Sequence, residues 1–83
     1  MTAIAEITVT KGKFLEMEQA ARKHPNVCVA YDITGLTDVF VIAKFRTREE
    51  LGKFTKTMLA MPFIDRMNTH LVLTTIKENF RLL

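Results

Sequence analysis

Apolar positions recur along this chain with two periods, and the switches between them outline six elements. Residues 3–10 alternate, with Ala3, Ala5, Ile7 and Val9 on one side and Ile4, Glu6, Thr8 and Thr10 on the other. That pattern predicts a half-buried strand, ended by a Lys11-Gly12 turn. Over 13–23 the spacing becomes helical: Phe14, Leu15, Met17, Ala20 and Ala21 share a broad stripe, and Pro25 stops the helix at His24. Residues 27–34 alternate again, with Val27, Val29, Tyr31 and Ile33 on one face. Residues 38–46 are apolar at nearly every position, so that strand is covered on both sides. Thr47 followed three residues later by Glu50 has capping-box spacing, and it starts a helix with Leu51, Phe54, Met58 and Leu59 on its stripe. Met61-Pro62 ends that helix, and residues 66–77 read as a last strand. An apolar tail with Phe80, Leu82 and Leu83 is expected to dock rather than dangle.

Strand, helix, strand, strand, helix, strand is the split βαβ order of a ferredoxin-like α+β fold with a four-stranded antiparallel sheet. Right-handed crossovers place the first and third strands in the middle and both helices on one face. The other face keeps apolar residues with nothing in the chain to cover them. Two sheets packed face to face in a dimer, a dimeric α+β barrel, resolve this.

Composition strengthens that expectation. Eighty-three residues make a single domain over 1–83. A chain of this size buries only about 60–65% of its unfolded surface, yet 48% of the residues are hydrophobic. The lone Cys28 makes no internal disulfide, which points to a reducing, cytoplasmic setting. No apolar run is long enough to cross a membrane. The net charge of +3 is spread over scattered basic pairs with no aromatic interleaving, so direct nucleic-acid binding is not expected.

Candidate chemistry is sparse. There is no serine, and Cys28 has no neighbouring base in the sequence. Gly12-Lys13 lacks the rest of a phosphate loop. His24, His70 and the methionines reach no metal-ligand spacing, and the methionines suit core gaps. Asp32 and Asp38 flank a glycine turn and read either as an acid/base pair or as turn builders. The turn itself offers Gly35 for close backbone approach, Thr34, Thr37 and Thr69 for hydroxyls, and Asp38 as an acceptor. Donors for a carboxylate beside an acceptor for an ammonium suit an amino acid.

Four segments in order carry a resemblance. Ile33-Thr34-Gly35-Leu36-Thr37-Asp38-Val39-Phe40-Val41 is similar to the glycine-aspartate hairpin of the Lrp/AsnC feast/famine regulators. Met61-Pro62-Phe63 through Thr69, Val72 and Lys77 resembles that family's ending, and Val9-Thr10-Lys11-Gly12 and Pro25-Asn26-Val27 match earlier segments. The resemblance covers 3–77 and concerns the C-terminal effector-binding domain. It implies a module that senses an amino acid or similar small effector and forms homodimers and octamer-like rings. It carries over Tyr31, Gly35, Thr37, Asp38 and Thr69 as ligand-binding positions, with no catalytic residue, metal or cofactor. Leu36 and Met67 depart from the family's usual residues. The helix-turn-helix domain of full regulators is missing before Met1, so the expectation is a stand-alone module that co-assembles with full-length family regulators. The alternative is a small barrel enzyme of the monooxygenase or isomerase type. It is disfavoured because the sheet-face positions read as largely aliphatic or threonine. An ACT-like amino-acid-binding module agrees less well with the motifs.

Overall fold

A computed structural model describes residues 1–80. The elements are β1 (Thr2–Val9), α1 (Phe14–Lys23), β2 (Val27–Asp32), β3 (Val39–Lys44), α2 (Arg48–Leu59) and β4 (Ile64–Leu71). They form one antiparallel sheet in the order β2-β3-β1-β4, with β1 and β3 central as expected. Alternation in β1 buries Ala3, Ala5, Ile7 and Val9 beneath the helices. From β3, Val39, Val41 and Ala43 join them. The core closes with Met17 and Ala21 of α1 and Phe54 and Met58 of α2. The helical stripes are narrower than the spacing suggests: Phe14, Leu15 and Leu59 are exposed. A single sheet face offers room for about two residues of each short helix, so the stripe edges stay in solvent.

Local signals set the helix ends. Thr47 Oγ1 accepts the Glu50 N–H (3.2 Å), and Glu50 Oε2 reaches back to the Arg46 N–H (2.6 Å), one residue before the usual box partner. His24 caps α1: its N–H donates to the Ala20 carbonyl (3.1 Å), and its Nδ1 accepts the Asn26 N–H (3.2 Å). The His24 ring meets Phe54 edge-on at 4.9 Å between centroids, and Phe54 in turn meets Phe45 at 5.2 Å.

Two strand expectations need correction. Val27, Val29 and Tyr31 do not share a face. A bulge between Val27 and Val29 changes the register, so Val27 lies opposite Ala43 on the helix side. Val29 and Tyr31 lie opposite Ile42 and Phe40 on the open side. One extra residue inverts every side chain after it. The last strand runs from Ile64 to Leu71 rather than over 66–77. Among the described residues its one neighbour is β1, which begins at Thr2. The Val72 N–H donates to the Thr2 carbonyl (2.9 Å), and past that bond β1 offers no further residue to pair with. Among the described tail residues Phe80 is 83% exposed, so it does not dock within the chain. Leu82 and Leu83 lie outside the described residues.

Candidate functional site

The loop joining β2 to β3 is pinned by three hydrogen bonds. The Ile33 N–H donates to the Asp38 carbonyl (2.9 Å), closing the hairpin, and the Asp38 N–H donates to the Ile7 carbonyl (2.9 Å). The Asp38 carboxylate completes the clamp: its Oδ2 accepts the Val9 N–H at 2.8 Å. That N–H lies beside a bulge between Thr8 and Val9, where the β1–β4 ladder is interrupted and a donor needs another partner. Gly35 sits at the apex with φ +114°, a conformation that side chains strongly disfavour. Leu36 beside it is fully exposed.

Beneath this loop, on the open sheet face, is a cleft of about 440 Å3. Thr34, Leu36 and Thr37 wall it from the loop, Glu6 and Thr8 from β1, and Arg66 and Asn68 from β4. The β1–β4 register places Arg66 opposite Thr8 and Asn68 opposite Glu6. A guanidinium, a carboxylate, an amide and hydroxyls therefore converge at one end of the sheet. That set can hold a small zwitterion, with the guanidinium taking a carboxylate and Glu6 taking an ammonium. Glu6 Oε2 also lies 3.5 Å from His70 Nε2. Sequence reasoning missed Glu6, Arg66 and Asn68. Sixty residues separate the two segments, and the signal was the alternation of β1 and β4 together with their pairing.

The sequence-predicted positions do not form one cluster in a single chain. Thr37 lines this cleft, and Gly35 and Asp38 shape the loop above it. Tyr31 and Asp32 line a separate cleft of about 370 Å3 between α1 and the edge strand β2. The Asp38 carboxylate is engaged by the Val9 N–H, which fits the turn-building reading of that residue. Thr69 lies opposite Ala5, on the helix side of the edge strand β4. Cys28 is exposed. Among the described residues no three of His, Cys, Asp and Glu come together as a metal site. Among the described residues no helix is long and apolar enough to cross a membrane.

The open face itself has two halves. Ile4, Phe40, Ile42, Val29 and Tyr31 make an apolar half towards β2. Glu6, Asn68, His70 and Arg66 make a polar half towards β4, so the face is not largely aliphatic or threonine as the sequence suggested.

The family model for the Lrp/AsnC ligand binding domain matches residues 2–82. The chain belongs to the Lrp/AsnC family. An uncharacterised HTH-type transcriptional regulator of Pyrococcus horikoshii is 43% identical over 82 residues, which is 99% of this chain and 55% of that protein. The regulator FL11 of the same organism is 30% identical over 82 residues, 54% of its length. The chain thus spans about half the length of the curated relatives it matches. Among solved structures, a Neisseria meningitidis transcriptional regulator in complex with L-Met superposes with a TM-score of 0.86 at 26% identity, over 99% of this chain and 55% of that one. A crystal structure of FFRP-DM1 superposes with a TM-score of 0.83 at 27% identity, over 87% of this chain and 97% of that one. The element order and four-stranded sheet are those of the family's ligand binding domain, and the regulator relatives point away from an enzyme.

Proposed function

We propose that this chain is an amino-acid-sensing and assembly module for transcription regulation, acting in the cytoplasm. The observation that carries the reading is the whole-chain match to the Lrp/AsnC ligand binding domain. The amino acid is held at the β2–β3 loop. Gly35 lets the backbone approach it, Thr37 donates a hydroxyl and Asp38 keeps the loop in place. Arg66 and Glu6 take the two charges of the backbone zwitterion. Tyr31 and Thr69 lie too far round the sheet to join that cleft in one chain, so they contribute where copies meet. The apolar half of the open face pairs with a second copy. Dimers then join into a ring, in which a full-length regulator carrying a DNA-binding domain co-assembles. The L-Met complex of the Neisseria relative supports this choice of ligand class.

The test combines thermal shift against the standard L-amino acids with native mass spectrometry of the hits. At least one amino acid is expected to raise Tm and to remain bound to a dimer or larger assembly. No stabilisation by any of them, in a protein that stays monomeric at tens of micromolar, defeats the reading.

A further inference from the structure

On the polar half of the open face, one carboxylate stands between two cations. The β1–β4 register sets Glu6 opposite Asn68, Ile4 opposite His70 and Thr8 opposite Arg66. Residues two apart on a strand share a face, so Arg66 and His70 flank Glu6, each a diagonal step away. Arg66 lies on the loop side and walls the 440 Å3 cleft together with Glu6. His70 is not among the walls of that cleft. It approaches Glu6 from the other side, with Nε2 at 3.5 Å from Oε2. The two side chains keep 62% and 39% of their exposure, so Glu6 is free to turn towards either side. The helices cover the opposite face. The charged groups on this one are Glu6 from β1, Arg66 from β4 and Lys44 at the far end of β3. Directly across from the His70 ring β1 presents Ile4, so Glu6 is the anion set against it.

We propose that His70 is a positioning residue for the amino-acid cleft, acting through Glu6: protonated, it draws the carboxylate out of the cleft, and neutral, it leaves the carboxylate to the ligand's ammonium. The inference rests on the reading of that cleft as an amino-acid site. An imidazolium donates from both ring nitrogens and carries a full charge, so it competes with an ammonium for the same oxygens. Histidine is the side chain type that exchanges its two forms near neutral pH. Carboxylates, guanidinium groups and the two charges of a free amino acid keep theirs in mild acid. Proton and ligand are then antagonists. Acid weakens amino-acid binding, and bound amino acid weakens proton uptake by the same factor. The site thereby reads two signals, effector and acidity, at one carboxylate.

The test is calorimetric titration of the full chain with whichever standard L-amino acid stabilises it most, at about pH 5.5 and about pH 7.5. Circular dichroism checks that each variant is folded at both. Wild type is expected to bind about threefold or more weakly in acid, the scale of a solvent-exposed ion pair. His70→Gln is expected to keep the higher-pH affinity at both values. His70→Lys, a permanent cation, is expected to bind weakly at both. A ring that merely supported the fold would weaken binding in both variants alike, and that result overturns the proposal. A wild-type affinity equal at the two pH values overturns it, as does an acid response that survives in His70→Gln or in Glu6→Gln. The chain has one other histidine, His24. His24→Gln is expected to retain the wild-type response, and loss of the response there also overturns the proposal. Binding with a flat pH profile defeats this inference alone, whereas no binding by any amino acid at either pH defeats the proposed function and this inference with it.

Discussion

Replacing Asp38 with alanine tests the clamp directly. The substitution removes the acceptor of the Val9 N–H, a 2.8 Å bond linking residues 29 apart in the chain. Val9 is buried and its N–H lies beside the bulge, so water does not easily replace the lost partner. A hydrogen bond to a charged group contributes about 1.5–3 kcal/mol, and an orphaned buried donor costs a similar amount. The expected loss is therefore about 2 kcal/mol. For a domain of this size that lowers Tm by about 10 °C. Asp38→Asn keeps a neutral acceptor oxygen and is expected to lose about half as much. Thermal unfolding by circular dichroism, at fixed protein concentration because self-association shifts apparent stability, reads both. A Tm within about 3 °C of wild type for Asp38→Ala, a change below 1 kcal/mol on the same scale, refutes the clamp. The pair of variants also separates two roles. If Asp38 only positions the loop, amino-acid affinity follows stability across both. If it touches the ligand's ammonium, Asp38→Asn loses affinity out of proportion to its Tm.

Gly35→Ala meets open space, so its cost is purely the positive φ. A loss of about 1–2 kcal/mol is expected by chemical denaturation, together with weaker ligand binding. Thr47→Ala removes the cap on α2 and is expected to cost about 1 kcal/mol, read as a lower denaturation midpoint with unchanged slope. Phe40→Arg places a charge in the apolar half of the open face and is expected to shift the light-scattering mass towards the monomer while leaving the far-ultraviolet spectrum intact. His24 sets a pH dependence. Burial holds its imidazole below the ordinary 6.5, so the folded state binds the proton more weakly than the unfolded one. Its contribution is complete above 6.5, declines as pH falls through that value, and levels off below the folded pKa. Protonation also removes the Nδ1 acceptor of the Asn26 N–H. His24→Gln should flatten that part of the Tm-against-pH curve, and an unchanged slope rejects this origin.

Element order was legible because each element keeps one period long enough to be read: β1 alternates over eight residues, and Thr47 with Glu50 announces α2. The central places of β1 and β3 followed from topology alone. What was hidden depends on pairing partners. The phase of β2 looked continuous because Val27, Val29 and Tyr31 alternate in sequence, yet the bulge at Cys28 separates Val27 from the other two. That slip has a consequence for the assembly. It delivers Val29 and Tyr31 to the open face beside Phe40 and Ile42, enlarging the apolar half that the proposed dimer would cover.

The candidate site was half legible for the same reason. A loop is local, so Gly35, Thr37 and Asp38 could be picked out from spacing, although the acceptor role of Asp38 depends on Val9, a residue on another strand. Glu6 and Arg66 carry no local signal, and only antiparallel pairing of β1 with β4 brings them to one cleft. The strand pattern running past Leu71 to Lys77 was misread for the same reason. The composition of residues 72–77 asks for a ladder, and the chain's own sheet has none to offer once β1 has begun.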